Sequence, residues 1–176
     1  MSDTLITMIA ILLAAILMFI FPLLSISERS DDISQLSVQT AVTEFVDNSR
    51  SIGKITMDNY DKLLATIQAT GNSYDVEMEV KVLDENVGKK SAWIQGTVIG
   101  ENVYYSVFTT QIIDTITKSP NGVYVMKEGD IFSVSIKNTN KTMSQTIRGV
   151  FYSIAGGDVY SIAAQHSGVV TANGSN

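Results

Sequence analysis

The chain has 176 residues, 45% of them hydrophobic, with 12 basic side chains against 18 acidic ones, one histidine and no cysteine. A net charge of -6 excludes a surface built to neutralise phosphates, so nucleic acid is not an expected partner. Without cysteine there is no disulfide framework, thiolate metal site or cysteine nucleophile, and one histidine excludes a two-histidine metal site within a chain.

The hydrophobicity is unevenly placed. Residues 5–24 read LITMIAILLAAILMFIFPLL, and no charge appears until Glu28. A helix of about twenty such residues spans roughly 30 Å, the hydrocarbon thickness of a bilayer. The segment is therefore read as a membrane helix, with Pro22 in its last turn. A cleaved secretory signal is the rival, since Ser25-Ile26-Ser27 is a small-x-small motif. It is disfavoured because the stretch lacks a basic start and exceeds the usual 7–15 apolar residues of such signals. A buried core helix would need a domain able to surround it, and about 150 residues of ordinary polarity remain. Membrane lipid is thus an expected partner. Only Arg29 follows closely, so no basic cluster favours retention inside the cell, and the head is expected outside the membrane.

Residues 33–51 read as an amphipathic helix continuing the first. Val38, Ala41, Val42, Phe45 and Val46 share one arc, and Gly53 follows as a left-handed cap. Thr56 and Asp58 open a second helix with Tyr60, Leu63, Leu64 and Ile67 at spacings of three and four, and Gly71 stops it. Ile55 and Tyr60 are placed for a hydrophobic staple. Residues 74–82 then alternate Tyr74, Val76, Met78, Val80 and Val82 with Asp75, Glu77, Glu79 and Lys81, a strand with one solvated acidic face.

A polar loop at 84–90 and a short strand at 91–99 containing Trp93 as a core residue come next. Residues 102–118 are ambiguous: their β-branched residues favour strand, while Tyr105, Phe108, Ile112 and Ile116 recur at helical spacing and tip the reading toward helix. Residues 123–126 and 131–137 read as a hairpin around Lys127-Glu128-Gly129-Asp130. Asn140 or Thr142 caps a final helix with Met143, Ile147, Val150, Phe151 and Ile154 on one stripe. Gly156-Gly157-Asp158 turns into a strand at 159–165, His166 is solvated, and the tail from Thr171 is expected to be mobile. The fold class expected is α+β: an N-terminal transmembrane helix continuing into an amphipathic helix, with a small head of helices on an antiparallel sheet. Residues 1–27 form the transmembrane and assembly helix, and residues 28–176 the extracytoplasmic head.

No phosphate loop, nucleophile elbow or dinucleotide fingerprint occurs, so no catalytic, cofactor or metal residues are assigned and an enzyme is not expected. The row Asp75, Glu77 and Glu79 is the best candidate for a hard cation, although Lys81 on the same face favours an ordinary solvated surface.

An apolar helix beginning within four residues of the terminus, running into an amphipathic helix and ending in a small α+β head resembles type IV pilins and pseudopilins. The run AVTEFVDNSRSIGKITMDNYDKLLATIQATGNSYDVEMEV is similar to tight-adherence-type pseudopilins of Gram-positive bacteria, over residues 1–83. The resemblance implies a structural subunit that forms a homo-oligomer or filament, its helix serving first in the bilayer and then in a bundle. On that reading Ala10, Ala14 and Ala15 allow close helix approach, while Pro22, Val38, Val42 and Phe45 belong to the assembly helix. The family's basic leader with a Gly cleavage site and its glutamate at the fifth mature position are absent here. Asp3 is the nearest carboxylate to stand for the latter, facing a neighbour's N-terminal amine. A membrane-anchored scaffold of a conjugation or secretion apparatus and a tethered cation-binding module remain alternatives.

Overall fold

The computed structural model describes residues 2–84, 103–155 and 161–175. One helix, α1 (Ser2–Ile52), runs without a break through the apolar segment, the charged stretch and the amphipathic stretch. Its 51 residues extend about 76 Å. The helix passes residue 27 without a break, as a transmembrane helix continuing into an amphipathic one requires. Pro22 lies in the helix interior rather than in a last turn, at the cost of one backbone hydrogen bond. Gly53 ends α1 with φ of 70°.

The chain continues as β1 (Lys54–Thr56), α2 (Met57–Gln68), β2 (Tyr74–Leu83), β3 (Tyr104–Phe108), α3 (Thr109–Lys118), β4 (Val123–Val125), β5 (Ile131–Asn138), α4 (Met143–Ala155) and β6 (Ala163–Val169). The fold is α+β, with an antiparallel sheet ordered β3-β2-β5-β6 and a separate two-stranded ribbon of β1 and β4. The inner face of the sheet presents Met78, Val80, Phe132, Val134, Ile136 and Ala164 to the helices, and α1 contributes Val38, Ala41, Val42, Phe45 and Val46 to the same core. Phe45 sits edge-on to Phe132 at 5.8 Å between ring centres, a favourable aromatic arrangement. Leu63 and Ile67 of α2 and Ile112 and Ile116 of α3 close the core.

The N-terminus of α2 forms as its residue types dictate. Thr56 is extended and its hydroxyl accepts from the Asn59 amide at 3.2 Å. Ile55 is buried and Tyr60 is packed against the same core, as a staple requires.

Several expected elements differ. Residues 104–108 form a strand, not the start of a helix, because Val107 and its neighbours pair with the open edge of β2, Glu79 opposite Phe108 and Leu83 opposite Tyr104. The helix starts only at Thr109, whose hydroxyl accepts from the Met78 amide at 2.7 Å. Tyr105 and Phe108 are consequently exposed, while Ile112 and Ile116 are buried. The hairpin of 123–126 with 131–137 does not form. β4 pairs with β1, and β5 lies between β2 and β6.

Asp130 accounts for that separation. It is buried, with one carboxylate oxygen accepting from the Leu83 amide at 2.9 Å and the other from the Lys127 amide at 2.8 Å. Those bonds set the exit of the turn against β2 rather than back along β4. Asp130 also helps hold the nearby Tyr124 phenol neutral: burial, then the Asp130 charge, then Tyr105, push its pKa up to about 12.

The last strand is Ala163–Val169, four residues beyond the expected start, and His166 lies within it. The final helix is capped by Thr142 and not by Asn140, and Met143, expected on its apolar stripe, is exposed. Asn140 instead accepts from the Ser73 amide at 2.8 Å and donates to Asn72, joining the start of β2 to the end of β5. The C-terminal stretch is tied down as well. Thr171 N–H donates to the Arg50 carbonyl at 3.1 Å, Gly174 N–H to that of Met126 at 3.0 Å, and Val170 is fully buried. The loop at 84–90 beyond Asp84, the strand at 91–99 with Trp93, and the turn at 156–158 fall outside the described residues.

Gly53 is required by two features at once: its positive φ, and a Cβ position only 2.3 Å from the Ala172 carbonyl oxygen. Gly53→Ala is expected to destabilise the head by about 2–4 kcal/mol. Urea unfolding of the detergent-solubilised protein, followed by near-ultraviolet circular dichroism, measures it; a loss below about 1 kcal/mol would contradict this packing.

Candidate functional site: an uncovered helix and its junction with the head

The first half of α1 is long and apolar enough to cross a membrane, and none of its most apolar window is buried by the rest of the chain. Met8, Met18 and Phe19 are more than 70% exposed, a state that water would not support over such a length. Two hydroxyls within it are satisfied locally. Thr7 Oγ1 donates to the Asp3 carbonyl at 2.7 Å and Ser27 Oγ to that of Leu23 at 2.8 Å, so neither hydroxyl needs a solvent partner.

Asp3, Ala10, Ala14, Ala15 and Pro22 all lie on this uncovered part. Val38, Val42 and Phe45 do not. They are at most 6% exposed and are committed to the core of the head. The arc expected to serve assembly therefore fixes the head onto its own helix instead. Beyond the charged stretch, the large apolar residues that α1 leaves most open are Ile33 and Leu36, at 60% and 66% exposure, with Ile52 at its end at 38%.

The head is attached to α1 by polar contacts at successive levels. Nearest the apolar half, Arg148 Nε donates to Glu28 Oε1 at 2.9 Å, and its Nη2 reaches the same oxygen. One turn higher, Asp31 accepts from Thr142 Oγ1 at 2.7 Å and from Ser144 Oγ. Thr142 and Gln145 form a reciprocal capping box, with Gln145 Oε1 accepting from the Thr142 amide at 3.1 Å and Thr142 Oγ1 from the Gln145 amide at 3.3 Å. The Asp31 carboxylate thus lies at the positive end of α4. Farther up, Gln35 exchanges two hydrogen bonds with the backbone of Ala163, at 2.7 and 3.0 Å.

At the top, Asp47 joins α1 to β6. Arg50 Nε donates to Asp47 Oδ1 at 2.7 Å, and His166 Nε2 lies 3.2 Å from the same oxygen. His166 is therefore part of the helix–sheet contact rather than a free solvated ring. Gly168 opposes Arg50 so closely that a Cβ there would lie 2.7 Å from the Arg50 Cδ. The Arg50 hydrogen bond, and after it that of His166, hold the Asp47 carboxyl below the usual range.

In sequence alone, Glu28, Asp31 and Asp32 read as a stop to membrane insertion or as ligands for an ion. The signal that could have shown more is the Thr142-Met143-Ser144-Gln145 box, a helix start in need of an acidic partner.

Among the described residues no three His, Asp or Glu side chains are grouped to hold a metal. Asp75 and Glu77 point into solvent, and Glu79 accepts from Ser106 Oγ at 2.6 Å. The acidic row is a sheet surface. No family model matches the chain, and no curated protein or solved structure matches it either.

The depressed Asp47 pKa makes the helix–sheet contact acid-sensitive. A carboxyl lowered on folding contributes stability that is present above its unfolded pKa and lost as the pH falls through the folded one. Unfolding followed between pH 5 and about pH 2 should show this loss, and Asp47→Asn should flatten that part of the profile.

Proposed function

We propose that the protein is a pilin-like structural subunit, held in the membrane by the apolar half of α1 with its head outside, and assembling with further copies into a filament or pseudopilus. The observation that carries this reading is the division of one helix: an apolar half that the fold leaves bare, joined without a break to a half built into the core of the head. A bilayer can cover the bare half of a single subunit, and identical helices can cover it in a bundle. A rigid rod 51 residues long, with the head locked to one end, transmits the position of each bundled helix directly to the heads. Heads related by rotation and translation then make heterologous contacts that do not close. Ala10 and Ala14, one turn apart and uncovered, supply the close approach for helix packing.

The test is a charge on that face. Ala14→Glu places a carboxylate where helices would meet in apolar surroundings, at a cost of about 2–4 kcal/mol or more. Filaments in sheared surface fractions, seen by electron microscopy, should disappear while the head retains its near-ultraviolet signature. Subunits that stay in the membrane fraction and co-purify with unrelated envelope proteins, with no filaments from the unaltered chain, would instead favour a single-pass scaffold.

A further inference from the structure

The junction contacts give α4 a direction. Thr142 and Ser144, at its start, meet Asp31, whereas Arg148 meets Glu28, one turn closer to the apolar half of α1. α4 therefore descends along α1 toward the membrane end. Arg148 is level with the last charge before the bilayer, and the helix continues for seven more residues to Ala155, about 10 Å farther. Those residues read Gly-Val-Phe-Tyr-Ser-Ile-Ala, without a charge.

The burial of α1 provides an independent observation. Leu17, Ile20, Leu24 and Ser27 recur at spacings of three and four on the face that also carries Asp31. Ser27 is buried and the other three are half-buried, while Met18, Phe19, Phe21 and Ile26 on the other faces are exposed. Leu17 is eleven residues below Glu28, about 16 Å. This face of α1 is therefore its less open one below the level of Glu28.

We propose that the C-terminal end of α4, residues 149–155, is a second membrane contact that enters the lipid interface beside α1. The proposal rests on the reading that residues 5–24 occupy a bilayer. The uncharged run from Thr4 to Ser27, 24 residues or about 36 Å, slightly exceeds the hydrocarbon core, which puts the boundary within a turn or two of Glu28. An α4 end up to about 10 Å below Glu28 then reaches the headgroup and acyl boundary, the depth at which amphipathic helices lie. Deep insertion is opposed by the last carbonyls of the helix, which have no intrahelical donors and need water or headgroups. Aromatic residues such as Phe151 and Tyr152 are the types enriched at that boundary. With the Glu28–Arg148 pair at the surface, the head is held to the bilayer at two points and its tilt is fixed.

The absence of cysteine allows one label per molecule. Full-length Leu12→Cys, Thr146→Cys, Ser153→Cys and Ile154→Cys variants, each carrying a polarity-sensitive fluorophore, are placed in phosphatidylcholine–phosphatidylglycerol vesicles containing acyl-chain nitroxide lipid. Labels at positions 153 and 154 are expected to lose most of their fluorescence to the lipid quencher, as the label at 12 does, with the label at 146 unaffected. Quenching at 12 with none at 153 and 154 overturns the proposal and leaves the membrane reading intact. Shielding of 153 and 154 from both the lipid quencher and aqueous iodide also overturns it, in favour of protein covering that helix end. Absence of quenching at 12 overturns the membrane reading itself.

Discussion

The structure depends on one continuous helix having to satisfy two surroundings. In its distal half, Val38, Val42, Phe45 and Val46 are removed from water by the sheet and by α2. In its proximal half, the equally apolar residues have no such cover from the head. Burying one large apolar side chain contributes about 1.5–3 kcal/mol, so the twelve exposed between Leu5 and Leu23 amount to a strong driving force toward apolar cover. The helix cannot fold back to shield itself, because it is one uninterrupted helix from Ser2 to Ile52.

The polar contacts along α1 solve the complementary problem of holding a head of modest size onto a rod. Glu28, Asp31, Gln35 and Asp47 each face a partner on α4 or β6, at intervals of about one to three turns. Each is a partly exposed contact of small individual worth. Their combined effect is directional, since a rotation of α1 by a fraction of a turn would break all of them and also withdraw Phe45 from Phe132. These contacts together fix the angle of the head on the helix.

How much of this could be read from residues alone varied with how local the determining interaction was. The period-two run at Tyr74 to Val82, the Thr56 cap and the Gly53 terminus were legible, because each depends on neighbours within a few positions. Residues 104–108 were not. Tyr105 and Phe108 match a helical spacing with Ile112 and Ile116, and only the open edge of β2 selects the strand. The pairing of β4 with β1 rather than with β5 was equally out of reach, since it turns on the buried Asp130 bonding to Leu83, 47 positions away. His166 looked free because Asp47, its partner, lies 119 positions earlier.

The sequence by itself determined the two materials of this protein, an uncharged stretch able to cross a bilayer and an acidic α+β head, because hydrophobic run length and periodicity are properties of the local chain. Tertiary structure alone decided which apolar residues of α1 remain open. Val38, Val42 and Phe45 and the residues around Ala14 are alike in hydrophobicity, and what separates them is only that a sheet formed by distant strands closes over the first group. The same closure brings Arg148 to Glu28 and so sets the end of α4 toward the apolar half of α1, a placement that no local pattern in residues 143–155 encodes.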